Sequence, residues 1–176
     1  MIIGIDGGLG SGKTAKMSGY LHCDFERGFR VLSNYGLNFK HEKLDVLSLL
    51  DKKVELRDVS IGIDEITVFM DCRTSISRMN RMLSYFILQS RKRNVVLYYT
   101  TQSFSMVDKR LIKYTDIQIR CEKLFNPNSG LELDDVRRFT VFDFRDPNNV
   151  RVHSFLEDIS KFYGLYDTNE IIEPPF

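Results

Sequence analysis

The chain has 176 residues, 43% of them hydrophobic and 28% charged, with a formal net charge of +1. A length of this order predicts one domain spanning 1–176, able to bury about 70% of its unfolded surface and so to fold without disulfides or a structural metal. Ordinary charge content with 11 Gly and 4 Pro excludes disordered, collagen-like and low-complexity classes.

The elements alternate. Ile2–Asp6 reads as a short buried strand, followed by a glycine-rich turn and a helix from about Gly12 to Arg27. Arg30–Asn34 is a second strand, and residues 43–51 form a short helix with Leu44, Val46, Leu47, Leu49 and Leu50 on its apolar face. Val59–Asp64 is a third strand, apolar along its length as in a sheet covered on both faces. From about Ser75 to Arg93, the spacing of Ile76, Met79, Met82, Leu83, Phe86 and Ile87 predicts a long helix. Val95–Thr100 is a fourth strand, and Asp116–Cys121 a fifth after a short helical stretch. Asn126-Pro127-Asn128-Ser129-Gly130 reads as a loop, and Phe139–Phe144 with Val150–Phe155 as a late β-hairpin. The alternation implies an α/β fold with a mainly parallel, doubly wound sheet flanked by helices.

Cys23, Cys72 and Cys121 are odd in number and far apart, without zinc-ligand spacing, and predict free thiols in a reducing cytosol. Apolar runs such as Val95-Val96-Leu97-Tyr98-Tyr99 fall far short of the roughly 18 residues a membrane span needs. Met1 leads directly into Ile2-Ile3-Gly4-Ile5, with no charged n-region or cleavage site. The expectation is a soluble, intracellular protein with no transmembrane segment of its own.

The near-neutral total conceals an asymmetry. Residues 1–71 carry a net −2, residues 72–130 a net +8, and residues 131–176 a net −5. Between Cys72 and Val107 there is no carboxylate, against Arg73, Arg78, Arg81, Arg91, Lys92 and Arg93. Such a block suits either a sequence-blind groove for nucleic-acid phosphates or a subunit interface.

Gly7-Gly8-Leu9-Gly10-Ser11-Gly12-Lys13-Thr14 matches the phosphate-loop pattern G-x-x-x-x-G-K-[ST] in full, between a strand and a helix. Glycines let successive backbone N–H groups turn toward an anion, and the helix start adds its positive end. Gly8, Leu9, Gly10, Ser11 and Gly12 are therefore expected to cradle the phosphates of ATP. Lys13 is expected to reach the β- and γ-phosphates and the Thr14 hydroxyl to ligate Mg²⁺. At the end of the third strand, Asp64 is the candidate second Mg²⁺ ligand and Glu65 the candidate base that orients an attacking water. Adjacent strand side chains point to opposite faces, so both serve one site only if the pleat ends there. The Asp-Glu order favours ATP hydrolysis over phosphate transfer to another acceptor. Gln102, closing the fourth strand, is placed to sense the γ-phosphate or the water. An arginine from a neighbouring subunit is worth about 10³–10⁵ in rate at such sites. Arg73, Arg91, Arg93 and Arg110 are the candidates, and spacing does not choose among them.

Several segments together resemble one family: Gly10-Ser11-Gly12-Lys13-Thr14, Val31-Leu32-Ser33-Asn34-Tyr35, Ile63-Asp64-Glu65-Ile66, Asp71-Cys72-Arg73, Ser90-Arg91-Lys92-Arg93, Tyr99-Thr100-Thr101-Gln102, Val107-Asp108-Lys109-Arg110 and Leu165-Tyr166-Asp167-Thr168-Asn169-Glu170. The chain resembles the small HerA/FtsK-superfamily ATPases of viruses, especially genome-packaging ATPases of tailless icosahedral viruses with internal membranes. It is similar, more weakly, to phage assembly ATPases of the zonula occludens toxin type. The resemblance implies a RecA-like P-loop NTPase core, a homo-oligomeric ring, and ATP-driven movement of double-stranded DNA into a preformed capsid. It also implies a capsid or membrane-vertex partner and a place in the host cytoplasm or on the virion. The family's roles carry over to Lys13, Thr14, Asp64, Glu65 and Gln102, and one of Arg91 or Arg110 would serve as the finger. Unlike the toxin-type proteins, the chain carries no membrane-spanning helix. The alternative readings are a toxin-type extrusion or DNA-transfer ATPase recruited to a membrane by a partner, a small-molecule kinase, and a nucleotide switch that does not hydrolyse.

Overall fold

Five residues that are apolar except for Gly4 and the terminal aspartate form β1 (Ile2–Asp6), and all five are buried. A strand buried on both faces belongs in the middle of a sheet, and β1 lies between two parallel neighbours. The computed structural model describes residues 1–44, 56–69 and 93–167. Within them the order is β1, α1 (Lys13–Glu26), β2 (Arg30–Ser33), β3 (Glu42–Lys43), β4 (Val59–Ile63), β5 (Val95–Thr101), α2 (Lys109–Tyr114), β6 (Ile117–Phe125), β7 (Glu132–Asp143) and β8 (Arg151–Asp158). The eight strands form one sheet in the order β3-β2-β4-β5-β1-β6-β7-β8. Pairing is parallel from β3 to β6 and antiparallel for β6-β7 and β7-β8.

The two faces of β1 feed two apolar layers. Ile2 joins Val59, Ile61, Ile63, Leu97, Tyr99 and the α2 residue Leu111 on one side. Ile3 and Ile5 join Ala15, Met17 and Leu21 of α1 with Ile119, Phe139 and Val141 on the other. With helices flanking a mostly parallel sheet, the fold is the RecA-like P-loop NTPase class expected from the alternation and the resemblance. Among the described residues no helix is long and apolar enough to cross a membrane.

Three expectations change. The late hairpin is longer, running over Glu132–Asp143 and Arg151–Asp158. The loop 126–130 is itself a hairpin turn, because β6 continues to Phe125 and pairs antiparallel with β7. The result is a three-stranded antiparallel extension at one edge. Residue 43, the expected start of a helix, instead pairs parallel with Ser33, and residues 45–51 lie outside the described ones. The long helix expected from Ser75 falls at 75–92 on residues that are likewise not described; Arg93 and Asn94 form a turn, with Asn94 at φ 54°.

A buried cation ties the extension to α1. The Lys16 side chain is 7% exposed and pairs with Glu157 of β8, which also holds Lys161 at 2.8 Å. Its ammonium lies 4.9 Å from the ring centroids of Tyr20 and Phe139, 5.1 Å from Phe155 and 5.6 Å from Phe162. Burial pushes the Glu157 carboxyl up, but the bonds from Lys16 and Lys161 outweigh it and hold the group below the usual glutamate range. This pairing therefore stabilises the fold above about pH 4.3 and fades as pH falls through the lowered folded value. Glu157→Gln, which strands a buried ammonium, should cost about 3 kcal/mol in urea unfolding, and Lys16→Met, which leaves Glu157 with Lys161, should cost clearly less.

Candidate functional site

The turn after β1 is built from positions where a side chain does not fit. Gly12 caps α1 in the left-handed region at φ 86°, and a Cβ there would lie 2.8 Å from Ile159 Cδ1. No side chain caps the helix, and no acidic residue occupies its first turn. The first N–H groups are thus left for an anion. Lys13 is 7% exposed, with its ammonium donating across the turn to the Gly8 carbonyl at 3.1 Å. Ser11 Oγ is buried with no hydrogen-bond partner among the described residues. An orphaned hydroxyl and a cation folded over a ring of backbone amides fit a phosphate chain. Gly8, Leu9 and Gly10 are exposed at the rim.

Across from Lys13, β4 delivers a carboxylate. Thr14 Oγ1 donates to Asp64 Oδ1 and Oδ2 at 3.2 and 3.1 Å. Thr100 Oγ1 also donates to Asp64 Oδ1. The Asp64 backbone is held from the other side by Asn34, whose Nδ2 donates to Asp64 O at 3.0 Å while Oδ1 accepts from Asp64 N at 2.8 Å. Burial pushes the Asp64 carboxyl above the usual range, opposed by the two threonine hydroxyls and the Lys13 charge. Hydroxyl and carboxylate oxygens are the hard donors that Mg²⁺ takes.

Glu65 solves the geometric problem of neighbouring strand residues. Its backbone sits at φ 49°, ψ 61°, so the pleat ends at Asp64 and the next side chain turns back toward the same end of the sheet. A non-glycine residue held there carries strain of about 1–3 kcal/mol, and the Glu65 N–H is anchored to Thr100 Oγ1 at 2.9 Å. Burial raises the Glu65 carboxyl; Lys13 draws it down, Asp64 pushes it up, and hydrogen bonds from Thr67 and Gln102 lower it. Gln102 is exposed and reaches this carboxylate from the end of β5.

The structure thus brings Lys13, Thr14, Asp64, Glu65 and Gln102 together at the C-terminal ends of β1, β4 and β5. Arg110 forms a bidentate pair with the buried Asp108, through Nε at 2.9 Å and Nη2 at 2.6 Å. Arg73 and Arg91 lie outside the described residues, and the Arg93 carbonyl accepts from Asp58 N at 3.3 Å. Sequence reading passed over Asn34 and Thr100. Both are polar residues at the end of a buried strand, the same signal that singled out Gln102.

The chain shares its fold with proteins of known structure. The N-terminal domain of zonular occludens toxin from Neisseria meningitidis superposes with a TM-score of 0.68 at 20% identity, over 94% of this chain and 98% of that one. The genome packaging NTPase B204 from Sulfolobus turreted icosahedral virus 2, in complex with ATP-gammaS, gives 0.57 at 10% identity, over 86% and 96%. The ATPase domain of a helicase gives 0.59 at 12%, over 96% and 84%. No protein-family model and no curated protein sequence matches the chain.

The double role of the Thr100 hydroxyl is open to direct measurement. Thr100 is fully buried, so Thr100→Val should leave the Glu65 N–H without its acceptor and Asp64 with one donor fewer. The expected loss is about 1–3 kcal/mol in denaturant unfolding despite the similar side-chain shape.

Proposed function

We propose that this protein is an ATP-hydrolysing motor that works as a homo-oligomeric ring to drive double-stranded viral DNA into a preformed capsid. The observation that supports hydrolysis best is the left-handed turn at Glu65, which sets a second carboxylate beside Asp64 and in reach of Gln102. In this reading Lys13 and the amides of 8–14 bind the phosphates, and Thr14 and Asp64 would hold Mg²⁺. The metal, when bound, would neutralise charge on the β- and γ-phosphate oxygens. Glu65 accepts a proton from the attacking water and Gln102 orients that water. Arg91 or Arg110 of a neighbouring copy would stabilise charge on the transferred group. DNA as the cargo is supported by the fold shared with B204, a genome packaging NTPase by name, and by the +8 charge of residues 72–130. A capsid or membrane-vertex protein would then be the docking partner, in the host cytoplasm or on the virion.

The fuller superposition with the zonular occludens toxin domain, TM-score 0.68 against 0.57 for B204, favours a second reading. There the same motor serves phage assembly, extrusion or DNA transfer, recruited to a membrane by a partner protein.

Steady-state ATP hydrolysis with and without duplex DNA tests the proposal. Wild type should turn over faster with duplex, Glu65→Gln should lose about 10²–10⁴ in kcat while still binding nucleotide, and Lys13→Ala should lose nucleotide affinity. Wild-type rates in Glu65→Gln would remove it as the base, and turnover indifferent to DNA would remove the DNA cargo.

If the basic segment grips phosphates, duplex affinity should also fall steeply between about 50 and 200 mM salt. A flat response in a binding titration would return that segment to a subunit interface.

A further inference from the structure

The phosphate-binding turn is touched from outside the parallel sheet by a group of charges on the β6-β7 hairpin. Arg137 of β7 has a side chain only 7% exposed, which is rare for arginine and requires compensation. Its Nη1 donates to the carbonyls of Leu133 and Val136, both at 3.0 Å. Its Nη2 pairs with Glu132 Oε1 at 2.9 Å and donates to the Gly10 carbonyl at 3.4 Å. The Nε is buried with no partner among the described residues. Glu132 is shared, because its Oε2 also holds Lys123 of β6 at 3.0 Å, and a Cβ on Gly10 would lie 3.0 Å from Lys123 Nζ. One carboxylate thus serves two cations, leaving a net positive charge against the rim of the turn. A Cβ on Gly12 would lie 3.5 Å from Arg137 Cγ, so the same side chain braces both ends of the segment 10–12.

Resting on the nucleotide site proposed above, we infer that Arg137 is the positioning residue of the phosphate-binding turn, and that through it the β6-β7 hairpin responds to an anion in that turn. The planar fork makes simultaneous bonds to Gly10, to Glu132 and to its own strand, which a lysine ammonium on a flexible stem does not reproduce. A polyphosphate drawing on the amides of 8–14 fixes the Gly10 carbonyl, which fixes the fork, which fixes Leu133 and Val136 at the base of the hairpin. The uncompensated charge of the Lys123–Glu132–Arg137 group favours the same occupied state.

Amide hydrogen exchange on the full chain, with and without a saturating non-hydrolysable ATP analogue, reads this out. The amides of Asn126 and Gly130, bonded to Leu131 O and Asn126 O at 2.8 Å, report the hairpin; those of 8–14 report the turn. In wild type both sets should slow, by about fivefold or more at the hairpin, a shift well within the range of local-opening equilibria. Arg137→Lys, which keeps the charge, should retain protection of 8–14 and lose the hairpin response. Should that variant fail to fold, Glu132→Gln removes the shared carboxylate's charge and should weaken the response in the same way. A hairpin response of wild-type size in the folded variant overturns the inference, as does a wild type that protects 8–14 but not the hairpin. Absence of any protection at 8–14 in wild type, with Lys13→Ala indistinguishable from it, overturns the nucleotide site itself and this inference with it.

Discussion

A carboxylate held within a sheet is tolerated only when donors from its surroundings aim at it, and Asp64 draws them from several elements. Thr14 comes from the first turn of α1 and Thr100 from the end of β5, while Asn34, just past β2, grips the Asp64 backbone by both its N–H and its carbonyl. These groups meet only because β2, β4, β5 and β1 run parallel and finish at the same end. Parallel pairing is slow to form and demands cover on both faces. What it provides here is a rim where hydroxyl, amide and carboxylate groups from distant parts of the chain stand side by side.

The same rim has a second wall. Where β6 changes the sheet from parallel to antiparallel, the next strands turn back past the phosphate-binding turn, carrying Lys123, Glu132 and Arg137 against Gly10. On the neighbouring face, β8 and the segment 160–165 close over α1 through the Lys16 ammonium and its four aromatic rings, with Phe162 seated against Gly19. The helix that begins at the phosphate-binding turn is therefore held by the sheet on one side and by a paired, buried cation on the other. Rigidity behind the turn and freedom at its exposed rim, Gly8 to Gly10, follow from that arrangement.

How much of this was legible in the sequence depended on whether a feature is local. The phosphate-binding turn needs eight consecutive residues whose backbone does the work, so its chemistry is written contiguously from Gly7 to Thr14. Asp64 and Glu65 follow an apolar strand and were legible for the same reason, though the left-handed conformation that lets them act together was not. The first half of β7, Glu132-Leu133-Asp134-Asp135-Val136-Arg137-Arg138, is too charged to read as a strand, and only its pairing with β6 makes it one. β3 is two residues long and has no period at all. Arg137 was hidden because its partner lies 127 residues away and depends on the register of a hairpin.

The antiparallel extension has two turns at opposite ends. The 126–130 turn sits beside Gly10, whereas the one between Asp143 and Arg151 lies by the start of β6, since Asp143 pairs with Ile117. Ile117 in turn pairs with Ile3 at the entry of β1, remote from the catalytic rim. Residues 144–150 are exposed and rich in turn formers, the setting in which chains accept foreign sequence. That makes this turn the natural seam for grafting a fluorophore or an affinity handle, and the place where related proteins are freest to differ in length.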